Sequence, residues 1–180
     1  MSMPASDTRI SVLIDADRLA TRVSELASEI VADMSREFLV VPILKGSFIF
    51  AADLLRALHM AGGKPDMDFL TLSSYGASTQ SGGEVKISRD IDVEIIGRQV
   101  LIVDDILESG RTLSVARDLM MSRQARSVKT CVLLEKPGKL AVQMKADFVG
   151  FECPDKFVVG YGMDVAHACR QLPFVGVVES

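Results

Sequence analysis

The chain of 180 residues has little cysteine: only Cys131, Cys153 and Cys169. They are odd in number, widely spaced and without a C-x-x-C pair, which argues against a disulfide framework or a cysteine zinc site and fits free thiols in a reducing compartment. Positive charge is not in excess either. The formal net charge is −4, whereas a nonspecific nucleic-acid binder needs a broad surplus of Lys and Arg to replace phosphate counterions. Long apolar runs are missing: the purest, Phe38 to Leu44, ends at Lys45, and Met1 to Ile10 lacks the apolar centre of a signal peptide. A soluble, cytoplasmic chain with neither nucleic-acid nor membrane partner is expected. Repeats and low-complexity segments are absent as well.

What is present has the profile of one globular domain, 1–180, with 48% hydrophobic residues to build a core. Leu19, Val23, Leu26, Ile30 and Met34 recur at helical spacing, so residues 16 to 34 read as an amphipathic helix covering a sheet. Phe38 to Leu44 suits a strand buried on both faces, as in a parallel sheet, and Ser47 is placed to cap a helix running to about Leu58. Further strands are expected at Asp68 to Ser74, Gln99 to Asp104 and Ser127 to Leu134, with a helix at Thr112 to Ser122. Short strands follow around Phe148, Phe157 to Gly160 and Val175 to Val178. Strand and helix alternate, which predicts an α/β fold with a mostly parallel central sheet flanked by helices. Tyr75 to Arg89 contains glycines and small polar residues and reads as a flexible loop, about 74–89, of the kind that covers a site.

The most informative segment is Val100 to Thr112, VLIVDDILESGRT, where a buried strand leads into two adjacent carboxylates and then a small-residue turn before a helix. Open α/β sheets bind ligands just outside the carboxyl ends of their strands. Ser109, Gly110, Arg111 and Thr112 suit a phosphate, since glycine permits the turn, hydroxyls donate, and free amides at a helix N-terminus face an anion. The same hydroxyls would also serve as plain helix caps. Placing Asp104 beside Asp105 favours the ligand reading, because adjacent carboxylates repel unless a cation or sugar hydroxyls receive them.

Other α/β motifs fail. Asp105 and Arg111 stand where a Walker A loop needs glycine and lysine around Gly110. LIVDD also opens phosphate-receiver domains, yet Asp147 precedes a strand where a phosphoacceptor would end one. Gly160 and Gly162 begin a dinucleotide fingerprint that breaks at Val165.

Val100 to Thr112 resembles the phosphoribosyl pyrophosphate signature of type I phosphoribosyltransferases. Leu44-Lys45-Gly46-Ser47, Ser74-Tyr75-Gly76 and Phe148 to Asp164, FVGFECPDKFVVGYGMD, narrow the resemblance to the hypoxanthine-guanine branch, over roughly residues 38 to 178. It implies the type I fold, with a small hood built from the terminal segments. It also implies transfer of a phosphoribosyl group to a 6-oxopurine base, Mg²⁺ as cofactor, and a homodimer or homotetramer.

By that resemblance Asp104 and Asp105 approach the ribose hydroxyls, one of them through Mg²⁺, and Ile106, Leu107, Glu108, Ser109, Gly110, Arg111 and Thr112 belong to the loop that holds the 5′-phosphate. Lys45 and Gly46 bind pyrophosphate, with a cis peptide at Leu44-Lys45. Lys136 donates to the purine O6, Phe157 stacks on the base, Val158 offers a backbone contact and Lys156 lines the same pocket. Asp164 helps hold a second Mg²⁺, Arg170 reaches pyrophosphate, and Ser74 and Tyr75 cover the reaction. Taken alone, Phe157 reads as core and Lys45 and Lys136 as surface cations; His59, His167 and the cysteines read as structural or surface. The sequence departs from the family at Glu108, where Asp is usual; Glu108 is expected to act as the catalytic base. Two alternatives stay open: another base, such as xanthine, on the same scaffold, and a regulator that senses phosphoribosyl pyrophosphate or binds RNA.

Overall fold

The computed structural model describes residues 9–75 and 84–179. In chain order the elements are β1 (Ile10–Ile14), α1 (Ala16–Asp33), β2 (Leu39–Leu44), α2 (Phe48–Met60), β3 (Asp66–Met67), β4 (Leu70–Tyr75) and β5 (Glu84–Arg89). Then follow β6 (Gln99–Leu107), α3 (Arg111–Ser122), β7 (Ser127–Glu135), β8 (Phe148–Glu152), β9 (Val158–Val159) and β10 (Val175–Val178).

Among the described residues the main sheet runs β5-β4-β2-β6-β7-β8, with β3 also beside β2. All its pairings are parallel except β4 with β5. Strand alternation splits the interior into two cores. Val40, Leu101 and Val103 point to the side packed by α1 and α2, while Leu39, Val41, Val100 and Ile102 point to the side packed by α3. Both faces of β2 and β6 are therefore dry, and their sequences read as continuous apolar runs. Pro42 fits inside a central strand for a local reason. The amides of Asp66 and Asp68 donate to the carbonyls of Phe38 and Val40 at 3.0 and 3.1 Å; two residues on, Pro42 meets the break between β3 and β4, where its missing N–H forfeits no ladder bond.

α1 starts where Asp15 accepts the Arg18 amide at 2.9 Å, and it buries Leu19, Val23, Leu26, Ala27 and Ile30. Arg22 ties it to the sheet edge: Nε donates to Gly150 O at 3.0 Å and Nη2 to Val149 O at 2.9 Å. The hood is the antiparallel sheet β1-β10-β9, made by the terminal segments and lying apart from the main sheet.

Several boundaries differ from the sequence expectation. β6 does not end at Asp104 but runs to Leu107, because β7 continues alongside it, pairing Ile106 with Leu134 and Leu107 with Glu135. Both carboxylates thus sit inside a paired strand. The expected loop from Tyr75 to Arg89 is a strand over Glu84–Arg89, paired with β4 from Tyr75↔Glu84 to Thr71↔Arg89; the stretch between, Gly76 to Gly83, lies outside the described residues. β4 starts at Leu70 rather than Asp68, whose carboxylate instead accepts the amides of Phe69, Asp92 and Val93. Ser47 does not cap α2 with its side chain; it is buried and its Oγ donates to Ile43 O at 2.6 Å. The strands β1 and β3 were not anticipated.

Cys131, Cys153 and Cys169 are free thiols, as expected, and burial pushes the Cys131 thiol far up. No helix among the described residues is long and apolar enough to cross a membrane.

Candidate active site

The carboxyl ends of β2 and β6 open into a cleft of about 310 Å³ lined by Lys45, Gly46, Asp104, Asp105, Glu108, Ser109, Gly110 and Thr112, with Ile43, Leu72 and Leu113 as apolar walls. Ile106 and Leu107 line it as well. Parallel pairing of β2 with β6 puts the two loops that follow these strands side by side, which brings residues some sixty positions apart in sequence into one site.

The turn after β2 holds a cis peptide at Leu44-Lys45, as the resemblance implied. Gly46 then passes directly over Asp105: a Cβ there would stand 1.7 Å from Asp105 Oδ2. Only glycine lets the two loops approach this closely.

Asp104 is buried, and its Oδ1 accepts the Asp105 amide at 3.0 Å; Asp105 Oδ1 accepts the Ile106 amide at 2.8 Å. Burial, and then the neighbouring Asp105 charge, pushes the Asp104 carboxyl well above the usual carboxylate range. Burial also raises Asp105, while a hydrogen bond with the Asp104 side chain, backbone donors and the Arg170 guanidinium pull it back. Two adjacent buried carboxylates are unfavourable together, and a cation or ligand hydroxyls would relieve them.

Beyond Leu107 the chain turns through Glu108 and Ser109 into Gly110, which is the N-cap of α3 with φ +76° and supplies no side-chain cap. Ser109 Oγ lies 3.4 Å from the Arg111 amide, a marginal contact. Hydroxyl capping therefore does not account for this turn, and the first amides of α3 face the cleft end of the helix. Gly110 is wedged against Met144, Leu140 and Val142, and the Ala141 amide donates to Ser109 O at 2.9 Å. α3 begins at Arg111, one residue before the expected Thr112.

Lys136 is buried rather than the surface cation its sequence context suggested. Its Nζ lies 3.3 Å from Glu108 Oε1, and its amide donates to Leu107 O at 2.9 Å. The pair joins the ends of β6 and β7 beside the cleft.

Asp164 and Arg170 come together on the opposite side. Arg170 Nη2 lies 2.7 Å from Asp164 Oδ1, and Nη1 donates to Gly162 O at 2.7 Å. Gly162 has φ +105°, and a Cβ there would stand 2.2 Å from Gly46 O. That contact seats the segment against the Lys45-Gly46 turn. It escaped the sequence reading, although the G-Y-G string carried the signal.

Phe157 is not core: 57% of it is exposed, next to exposed Lys156. Val158 is buried, and because Phe157 O accepts the Val178 amide at 3.0 Å, the antiparallel register turns the Val158 backbone groups toward the free edge of the hood. Arg111, Lys136, Lys156, Phe157, Val158, Asp164 and Arg170 do not line the cleft itself. Ser74 and Tyr75 end β4. His59 and His167 are on the surface.

No group of three or more His, Cys, Asp or Glu side chains among the described residues could form a complete metal cage. The acidic set suits a hard cation that keeps waters and ligand oxygens, in the manner of Mg²⁺.

Comparison with known proteins agrees with this layout. Residues 12–166 match the family model of the phosphoribosyl transferase domain. The chain is 45% identical over 169 residues to the hypoxanthine-guanine phosphoribosyltransferase of Bacillus subtilis (strain 168), covering 93% of this chain and 92% of that one. It is 46% identical to the bifunctional protein TilS/HprT of Listeria innocua, of whose greater length it spans 26%. The crystal structure of a hypoxanthine-guanine phosphoribosyltransferase from Bacillus anthracis superposes with a TM-score of 0.89 at 41% identity, over 96% of this chain and 100% of that one. With the signature segment at the mouth of a parallel sheet and this agreement along nearly its whole length, the chain belongs to the phosphoribosyl transferase domain family.

Proposed function

We propose that the chain is a purine-salvage enzyme of the cytoplasm that transfers the 5-phosphoribosyl group from phosphoribosyl pyrophosphate to N9 of hypoxanthine or guanine, giving IMP or GMP and pyrophosphate. The observation that carries the proposal is the convergence, in one cleft, of a buried carboxylate pair, a lysine-glycine turn and an uncapped helix N-terminus. It is matched by relatives of the same length that bear the hypoxanthine-guanine name. A homodimer or homotetramer is part of the proposal.

As the C1′ to pyrophosphate bond breaks, its electron pair leaves with pyrophosphate and positive charge builds on the ribose; N9 attacks from the other face. Asp104 and Asp105 accept the ribose hydroxyls and place negative potential beneath that charge. The amides at the start of α3, with Ser109, Arg111 and Thr112, hold the 5′-phosphate, while the Lys45-Gly46 turn and Arg170 neutralise pyrophosphate. Glu108 takes the N7 proton, and Lys136, freed from Glu108, donates to O6. Phe157 stacks on the base, Val158 meets its exocyclic edge and Lys156 borders the pocket. Ser74 and Tyr75 cover the cleft. One Mg²⁺ would be held by Asp104 or Asp105 and a second by Asp164; when bound they would supply positive charge to the pyrophosphate oxygens.

The test is product formation with phosphoribosyl pyrophosphate and Mg²⁺, offering hypoxanthine, guanine, xanthine, adenine and uracil in turn, with an EDTA control. Metal-dependent IMP and GMP are expected; no nucleotide from any base overturns the proposal.

A further inference from the structure

Asp164 and Arg170, the groups assigned above to the metal and pyrophosphate, sit on a segment that is neither helix nor strand. It closes two tight turns on itself, Gly160 bonding with Met163 and Val165 with Ala168. Tyr161, Ala166, His167 and Cys169 all have φ between 49° and 73°, a region side chains other than glycine rarely occupy. Those turns fix the local shape of the segment, but not its position against the Lys45-Gly46 turn.

Two anchors set that position. Gly162 rests against the carbonyl of Gly46. One residue earlier, Tyr161 is buried, its amide donates to Leu172 O at 2.9 Å, and its hydroxyl donates to Asp53 Oδ2 at 2.6 Å. Burial first, and then Asp53, pushes the phenol far above its ordinary value, so it stays a donor. Asp53 lies on α2, the helix that follows the Lys45-Gly46 turn directly, and is also held by Arg56. The links form a closed ring: Gly46 to α2, α2 to Asp53, Asp53 to Tyr161, Tyr161 to Gly162 and back to Gly46. Asp53 and Tyr161 face a separate groove between α1 and α2 and do not line the cleft.

We infer that Tyr161 and Asp53 are positioning residues for the pyrophosphate half of the site: without touching substrate, they hold the turn bearing Asp164 and Arg170 in register with Lys45 and Gly46. The inference rests on the functional reading above, which gives those groups to pyrophosphate.

The test compares Tyr161→Phe, Asp53→Ala and Asp53→Asn with wild type. It uses steady-state kinetics with each substrate varied, and calorimetric binding of pyrophosphate with Mg²⁺ and, separately, of GMP. Loss of a hydrogen bond to a charged group should raise the KM for phosphoribosyl pyrophosphate and the Kd for pyrophosphate roughly tenfold in Tyr161→Phe and Asp53→Ala. The KM for hypoxanthine and the Kd for GMP should stay within about twofold, and Asp53→Asn, which keeps an acceptor, should return to within about threefold of wild type. Unchanged pyrophosphate binding in Tyr161→Phe overturns the inference. So does equal weakening of the base and pyrophosphate sides, which marks a general loosening, or an Asp53→Asn variant as impaired as Asp53→Ala. A wild-type protein that forms no nucleotide and binds no pyrophosphate would instead sink the functional reading beneath it.

Discussion

Gly46 and Asp105 are in such close approach that no side chain fits between them: a Cβ on Gly46 would overlap Asp105 Oδ2 at 1.7 Å. The turn assigned to pyrophosphate and the carboxylate assigned to the ribose are thereby one object. A side chain added at Gly46 would require the carboxylate or the turn to shift.

Gly46→Ala must therefore displace the Asp105 carboxylate or the turn itself. With a misplacement of about 1 Å at the reacting groups, kcat/KM for phosphoribosyl pyrophosphate should fall about 100-fold or more. Steady-state kinetics beside a circular dichroism spectrum checks this, since the fold should survive a change confined to one turn. A variant with wild-type kcat/KM would show that the turn can give way without cost.

Asp104 should trade stability for function. Its folded carboxyl titrates above the ordinary value because it is buried beside Asp105, so the folded state binds its proton more readily than the unfolded chain does. The favourable contribution is complete below the unfolded pKa, about 3.9, and is lost as pH rises through the raised folded value. Ionising it in the unliganded protein places a buried charge beside Asp105 that the fold would be more stable without. Asp104→Asn should raise the melting temperature at pH 7 and flatten its dependence on pH, while turnover falls about 100-fold with the loss of preorganised negative charge. Thermal scans of unliganded protein across pH measure the first effect and kinetics the second; a lower melting temperature at pH 7 would contradict the argument.

Glu108 is tied to buried Lys136 at 3.3 Å, close enough for one side chain to serve the base N7 while the other serves O6. General base catalysis contributes about 100-fold or more, so Glu108→Gln should lose at least that in kcat. Turnover within about threefold of wild type would remove Glu108 from the role. Glu108→Asp, shorter by a methylene, then separates length from charge.

Arg22 predicts a purely structural effect. It satisfies the carbonyls of Val149 and Gly150 and pairs with Glu29 at 2.7 Å, locking α1 onto β8. Arg22→Met should lower stability by about 2 kcal/mol through the lost charge-assisted hydrogen bonds. In urea unfolding the midpoint should fall with an unchanged slope, and kcat should hold, because no part of the cleft rests on Arg22.

Much of the architecture was legible because it is local. The run from Phe38 to Leu44 announced a doubly buried strand, and VLIVDDILESGRT announced a strand, an acidic pair and a small-residue turn into a helix, in order along the chain. The misreadings have physical causes. β5 was taken for loop because alternating Val85 and Ile87 are set among charged and polar residues and become a strand only beside β4. Ser47 was taken for a cap, yet burial leaves its hydroxyl only Ile43 O to satisfy it.

By itself the sequence determined which residues could carry this chemistry. Apolar runs, adjacent carboxylates and a glycine-bearing turn are properties of neighbours along the chain, set by propensity and by repulsion between like charges. Only the tertiary structure decided how they meet. Gly46 on Asp105, Gly162 on Gly46, Glu108 with Lys136 and Tyr161 with Asp53 join residues 28 to 116 positions apart. Such contacts depend on the parallel register of β2, β6 and β7, a global arrangement fixed by burial on both faces of the sheet, and no local pattern encodes them.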